Sequence, residues 1–331
     1  FSLDLAGSIS GAVRLGGVGQ GNVPVELYGA VGNLIRSIPT AATGAYQFTG
    51  LPAGRYFVRT RDTAGRADAL YNGQPCVGNA CVIRSGTPVD LTAGANLAGI
   101  DLALSAAATI SGTVRRNPGS TAMSGVTVQL LAPSGAVALS TTTNGSGGYS
   151  FTGLAPGDYR LLTRNTPGVV HVAWPGTPCP AACSGLNGSA ITVTAGATVG
   201  GRDFLLDAGG SISGNVRSGP SAPITGATVQ VYNATGVPVG QISTNASGNY
   251  EFNTLPAGNF FVRTQQSLGF ADQLFNGRPC TGYCDILSGD PIPVSAGAGT
   301  GLVDFVLAGG LSISGRVRDA STSAGVALAR A

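Results

Sequence analysis

Short runs in which apolar and polar residues alternate recur along this 331-residue chain, separated by clusters of Gly, Pro, Asn and Ser. Val25 and Leu27 flank Glu26, and Val128 and Leu130 alternate with Thr127 and Gln129. A period of two puts one side of each run in a core and the other in water, which is the pattern of β-strands. No helical period competes with it. In the first hundred residues the pattern predicts strands over Ser8–Arg14, Val23–Tyr28, Leu34–Thr40, Ala45–Thr49, Arg55–Arg61, Ala67–Tyr71, Pro88–Leu91 and Gly99–Leu104. Strands this short and this closely spaced, with turn residues between them, indicate an all-β sandwich rather than βαβ units.

The pattern then repeats. Ile-Ser-Gly followed by x-Val-Arg begins at Ile9, Ile110, Ile212 and Ile313, in steps of 101, 102 and 101 residues. A second marker, Tyr-x-Phe-x-x-Leu-x-x-Gly-x-(Tyr/Phe), runs from Tyr46 to Tyr56, Tyr149 to Tyr159 and Tyr250 to Phe260. A third is an acid in a closing strand: Asp101, Asp203 and Asp304, with Leu3-Asp4-Leu5 read as a further copy. Self-similarity at a fixed period is the mark of tandem modules. The expected division is residues 1–7 as the last strand of a preceding module, 8–107, 108–209 and 210–310 as three whole sandwiches, and 311–331 as the first strands of a following one. Half a module cannot bury its apolar face alone, so the parent polypeptide is expected to extend in both directions.

Composition narrows the class. Charged residues make up only 10% of the chain, and all 18 basic residues are Arg. A net charge of +3, with Arg115-Arg116 as the adjacent basic pair, makes no stripe for phosphate, which excludes nucleic acid as a partner. No apolar run reaches the length of a membrane span.

With these markers, the modules resemble the carboxypeptidase-regulatory-like and Cna B-type repeats, prealbumin-like (Ig-like) β-sandwiches found in tandem in bacterial surface proteins. The resemblance rests on residues such as Ile110-Ser111-Gly112-Thr113-Val114, Gly125-Val126-Thr127-Val128 and Gly148-Tyr149-Ser150-Phe151 with Leu154, Gly157 and Tyr159. It implies the fold and a role as spacer, stalk, adhesin or accessory domain. Many Cna B-type domains are locked by a Lys-Asn isopeptide bond. A chain without Lys cannot form it.

The cysteines offer a different staple. Cys76 and Cys81, Cys179 and Cys183, and Cys280 and Cys284 recur as close pairs at one place in each module. Paired recurrence outside a βαβ context implies intramodular disulfides and an oxidising compartment. Closing so short a loop is worth roughly 2 kcal/mol on the loop-entropy model. Zinc would need four ligands per site, whereas each module offers two sulfurs and the chain has one His, so neither a metal nor a cofactor is expected.

Candidate chemistry is otherwise sparse. His171, the single His, stands where the other modules have Asp68 and Asp272, which reads as a tolerated substitution rather than a catalytic base. Asp101, Asp203 and Asp304 are expected to meet Arg14, Arg115 and Arg217 or the backbone donors of a turn. Sequons at Asn144, Asn187, Asn233 and Asn245 occur in a composition where chance matches are expected. Tyr71, Trp174 and Phe275, each just before a cysteine pair, are the candidate ligand platform, because a ring on a pinned loop suits sugar stacking. The competing reading has them fill the core beneath the disulfide. The chain is thus expected not to be an enzyme. It reads as a secreted, surface-displayed structural protein of a bacterial fibre, filament or stalk, whose partners are neighbouring modules and copies of itself. The alternatives are an adhesive array binding surface glycans and the non-catalytic repeats of a larger secreted hydrolase.

Overall fold

The computed structural model describes residues 5–61, 65–77, 81–164, 166–179, 185–265, 269–280, 284–310, 318 and 320–322. Leu3 and Asp4, read above as part of a further acid-bearing strand, lie outside the described residues, as does most of the segment after 310. The described regular structure is strand, apart from three short 3-10 turns.

Each repeat carries eight principal strands. In the first these are β1 (Gly7–Leu15), β2 (Pro24–Gly29), β3 (Leu34–Pro39), β4 (Ala45–Leu51), β5 (Gly54–Thr60), β6 (Val89–Leu91), β7 (Asn96–Leu97) and β8 (Leu102–Ala106). The second has β9 (Ala108–Asn117), β10 (Thr127–Leu131), β11 (Val137–Thr142), β12 (Gly148–Leu154), β13 (Gly157–Arg164), β14 (Ile191–Val193), β15 (Thr198–Val199) and β16 (Phe204–Asp207). The third has β17 (Gly210–Ser218), β18 (Thr228–Asn233), β19 (Pro238–Ser243), β20 (Asn249–Leu255), β21 (Gly258–Thr264), β22 (Ile292–Val294), β23 (Gly299–Thr300) and β24 (Phe305–Leu307).

In the first repeat β1 is the centre of one sheet. It pairs antiparallel with β4 on one side and in parallel on the other, first with β7 at Ser8 and Ile9, then with β8 from Val13 to Leu15. The second sheet runs β3–β2–β5, antiparallel, with β6 along the start of β5. Alternating residues fill the space between the sheets: Ile9, Val13 and Phe48 from one, Val25, Leu27 and Val58 from the other, all buried. The other repeats reproduce this pairing around their own clusters.

The three sequence markers meet where the first strand changes parallel partner. Between β7 and β8 the chain leaves the ladder, so β8 begins at Leu102 rather than at the expected Gly99. The Ile100 amide still donates to the Ser10 carbonyl at 3.0 Å. The next free donor of β1, the Ala12 amide, has no main-chain acceptor there, and Asp101 Oδ1 supplies one at 2.8 Å. Thr113 and Asn215 find the carboxylates of Asp203 and Asp304 in the same way, at 2.7 and 2.9 Å. The Ile100 carbonyl turns inward and accepts the hydroxyl of Tyr46, as Arg202 and Val303 accept those of Tyr149 and Tyr250. Burial, reinforced by the neighbouring Asp, holds these three hydroxyls protonated well above the usual phenol range, so each remains a donor. The carbonyl passes so close to the first strand that a Cβ on Gly11, Gly112 or Gly214 would lie 2.1, 2.2 or 2.0 Å from it. This is why the motif is Ile-Ser-Gly. Of the arginines expected to meet the acids, Arg217 does, at 3.5 Å from Asp304, whereas Arg14 and Arg115 donate to the Gly17 and Ser120 carbonyls.

Residues 1–209 and 210–331 form two compact units. Inside the first, the single residue Ala107 separates β8 from β9. Its amide donates to Gly65 at 3.1 Å, and the Gly196 amide donates to Ala106 at 2.9 Å, so the connection is held from both repeats. Val77, beside Cys76, packs against the second repeat's cluster.

One expectation from the alternation fails. Glu26 should face water, yet it is only 4% exposed. The outer side of the second sheet is therefore covered over Glu26 and its partner Arg59.

The Gly112→Ala substitution forces backbone apart at the crossing and should destabilise the second repeat by about 2–4 kcal/mol. Tyr149→Phe leaves the inward carbonyl without its donor and should cost about 1–2 kcal/mol. Hydrogen exchange read repeat by repeat checks both, with the first and third repeats of the same molecule as controls.

Candidate functional site

The cover over the second sheet is the loop that carries the cysteines. Cys76 is bonded to Cys81 and Cys280 to Cys284, with Cα atoms 5.0 and 5.1 Å apart. Cys183, the expected partner of Cys179, lies outside the described residues. Cys76, Cys179 and Cys280 are all buried, and each amide donates to a carbonyl one strand away, of Asp68, His171 and Asp272 respectively. Position 171 and its counterparts Asp68 and Asp272 thus supply the same backbone acceptor whichever side chain they carry. Burial and the nearby charge of Arg164 keep the His171 imidazole below its usual range, and its buried Nδ1 has no hydrogen-bond partner among the described residues.

Beneath the loop, directly paired strand residues form a small second layer. In the first repeat Glu26 and Arg59 are cross-strand partners, both buried, with Arg59 Nε 2.8 Å from Glu26 Oε2. Tyr28 donates its hydroxyl to the same carboxylate oxygen at 2.6 Å, and its ring lies 5.7 Å beneath the guanidinium. In the third repeat Gln230, Arg263 and Tyr232 take these places, with Arg263 Nε donating to Gln230 Oε1 at 3.0 Å. In the second, Leu131 and Leu162 cluster with Ala173 and Cys179 instead. One scaffold therefore carries an ion pair, a neutral amide–guanidinium pair and, in the second repeat, an apolar cluster whose Leu162 is paired with Gln129. Sequence reasoning missed this layer. Its signal was an Arg in the middle of the apolar runs Tyr56–Thr60 and Phe260–Thr264.

Burial alone would raise the carboxyl of Glu26. The Tyr28 hydroxyl and the Arg59 and Arg61 guanidinium groups outweigh it, and the group titrates below its ordinary value. The Tyr28 hydroxyl is pushed up to about 12 by its burial and by the carboxylate it serves.

The three aromatic residues of the candidate platform are half-buried and pack against the main cores of their repeats. Phe275 packs edge-on against Phe305, with ring centroids 6.5 Å apart. The Trp174 ring is covered by the Arg202 guanidinium, 5.0 Å from its centroid. Arg202 stands where the other repeats have the buried Ile100 and Val303, so the wide ring and the arginine form one unit.

Beside the crossing lie open polar grooves, about 610 Å³ in the second repeat and about 670 Å³ in the third. The Asn144 and Asn245 side-chain oxygens that line them are already engaged. Asn144 Oδ1 accepts from the Ser146 amide, the Ser146 hydroxyl and the Gly148 amide, and Asn245 and Asn233 close equivalent turns. Three of the four sequons thus sit in tight turns in which the asparagine mimics backbone. Among the described residues no group of three or more His, Cys, Asp or Glu side chains is placed to hold a metal.

The model of the carboxypeptidase regulatory-like domain matches residues 109–178 and 211–308. No curated protein matches the chain. Among solved structures, the Bacillus anthracis TIE protein is 14% identical, with 93% of this chain and 51% of that one covered and a TM-score of 0.27. This chain thus spans about half the length of that structure. BcpA, the major pilin subunit of Bacillus cereus, is 9% identical over 91% of this chain and 99% of that one, with a TM-score of 0.23. GBS52, the minor pilin of Streptococcus agalactiae, is 13% identical over 63% and 99%, with a TM-score of 0.30.

Glu26→Ala leaves Arg59 buried without its carboxylate and should cost the first repeat about 3–5 kcal/mol. Glu26→Gln installs the residue that the third repeat uses and should cost about 1–2 kcal/mol. Because the folded-state value of Glu26 is depressed, its contribution is fully present above the ordinary carboxyl value of 4.5 and is lost as pH falls through the folded value. Exchange protection of the first repeat should therefore show an acid loss that the Glu26→Gln chain lacks.

Proposed function

The chain belongs to the carboxypeptidase regulatory-like domain family, and from that premise we propose that it is a load-bearing segment of an extracellular fibre, filament or stalk on a bacterial surface. The observation that carries this reading is the pairing of each repeat's first and last strands. They are parallel neighbours: Val13–Leu15 lies along Leu102–Leu104, Val114–Asn117 along Phe204–Asp207 and Val216–Ser218 along Phe305–Leu307. In a parallel pair the start of one strand and the end of the other lie at opposite ends of the ladder. A pull along the chain then shears all the ladder hydrogen bonds together instead of opening them one at a time. Between the first two repeats the load would pass from β8 into β9 through Ala107 alone. Such a short connection cannot act as a flexible tether.

The edge strands add a second feature. β3, β11 and β19 each have one ladder partner and lie at the end of a sheet. Pro39 and Arg36 guard the first and Pro238 the third, whereas β11 has neither a proline nor a charge. Pairing with another copy would use this edge. The glycan-binding alternative draws no comparable support from Trp174, whose ring face Arg202 already occupies.

Pulling single molecules from both ends tests the mechanical role. Each repeat should rupture as one event, releasing roughly 300 Å of chain. Arg115→Pro interrupts β9, which is paired on both sides at that residue, and should lower or remove the second repeat's event alone. Gradual lengthening without discrete events would reject the proposal, as would compact, unassembled particles in electron micrographs of the native material.

A further inference from the structure

Arg263 reaches the sulfur pair above it. Its Nη1 lies 3.8 Å from Cys280 Sγ and 4.0 Å from Cys284 Sγ. Its Nε is occupied by the Gln230 amide oxygen, which carries no charge. In the first repeat the equivalent Arg59 is neutralised by Glu26, and in the second Leu162 takes the place of the arginine. The same disulfide position is thus set over a neutralised cation, an apolar side chain and a cation whose Nε is met by a neutral amide.

We propose that Cys280–Cys284 is a thiol-exchange site, open to a low-molecular-weight thiol, while the disulfide of the first repeat is structural. Cys280 is 1% exposed, whereas Cys284 is half-buried, so the sulfur open to attack is that of Cys284. An incoming thiolate forms a new S–S bond with Cys284 Sγ. The Cys280–Cys284 bond breaks and its electron pair departs on Cys280 Sγ as a thiolate. The incoming thiol is oxidised to the mixed disulfide and Cys280 is reduced, so no other oxidant or reductant enters the step. A guanidinium beside the departing sulfur stabilises the thiolate, and exchange quickens as the leaving thiol becomes more acidic. Reattack by Cys280 on the mixed disulfide restores the ring and releases the thiol, which makes the site reversible.

The test is timed exposure of the intact chain to reduced glutathione, followed by alkylation and peptide mass spectrometry. Cys280–Cys284 should open on the order of tenfold faster than Cys76–Cys81, with glutathione on Cys284. Gln230→Glu places the first repeat's carboxylate beneath Arg263 and should abolish most of the difference. The first repeat already folds with Glu at that place, so this variant keeps the test clear of misfolding, and hydrogen exchange verifies it. Arg263→Gln should act like Gln230→Glu, and Arg263→Lys should retain part of the difference. Equal opening of the two disulfides in the parent overturns the proposal. So does a difference that survives both Gln230→Glu and Arg263→Gln, or glutathione found on Cys280.

Discussion

Where one chain crosses another inside a sandwich, every main-chain donor and acceptor must still be met, and this accounting organises each repeat. The first strand takes two successive parallel partners, and between them the closing chain bends away. The bend leaves an amide without an acceptor and drives a carbonyl toward the core. Asp101, Asp203 and Asp304 supply the acceptor, and Tyr46, Tyr149 and Tyr250 supply the donor. Gly11, Gly112 and Gly214 give the carbonyl room to pass. Three motifs scattered over about ninety residues of sequence are therefore parts of one junction, and it fixes the register of the first sheet.

The second sheet shows the opposite case, a place where the same backbone accepts different chemistry. Beneath the cysteine loop Glu26 pairs with Arg59 in the first repeat and Gln230 with Arg263 in the third, whereas in the second Gln129 pairs with Leu162 and Leu131 stands where the others have a tyrosine. Each set is internally satisfied: the Glu26 carboxylate has Arg59 and Tyr28, Gln230 has Arg263 and Tyr232, and Leu131 has Leu162. A buried ion pair and a packed apolar pair can serve one scaffold at similar stability, because desolvation offsets most of the Coulomb attraction. What differs is the electrostatic field at the sulfur atoms and the response to acid.

Mechanics and chemistry meet in this arrangement. The parallel closing strand that seals the first sheet is also the strand through which tension would leave a repeat, so the crossing braces the ladder at its centre. The cysteine loop lies on the other sheet, away from that path. Opening a disulfide there would loosen the cover without first breaking the terminal ladder.

Much of this was legible in the residues alone. The period of two, the step of about 101 residues and the turn clusters determined an all-β tandem architecture, because a strand's alternation and a module's repeat are local and periodic properties of the chain. The sequence marked the glycine, tyrosine and aspartate of the crossing as recurrent, but not that they touch. They meet only because the closing strand returns beside the first, some ninety residues later. Glu26 was misread for a similar reason. Alternation tells which face of a strand it occupies, and only the cysteine loop folding back over that face decides that it is dry. The platform aromatics also needed tertiary structure: whether a ring is free to stack depends on what lies over it, and for Trp174 that is Arg202, twenty-eight residues away in sequence and 5.0 Å away in space.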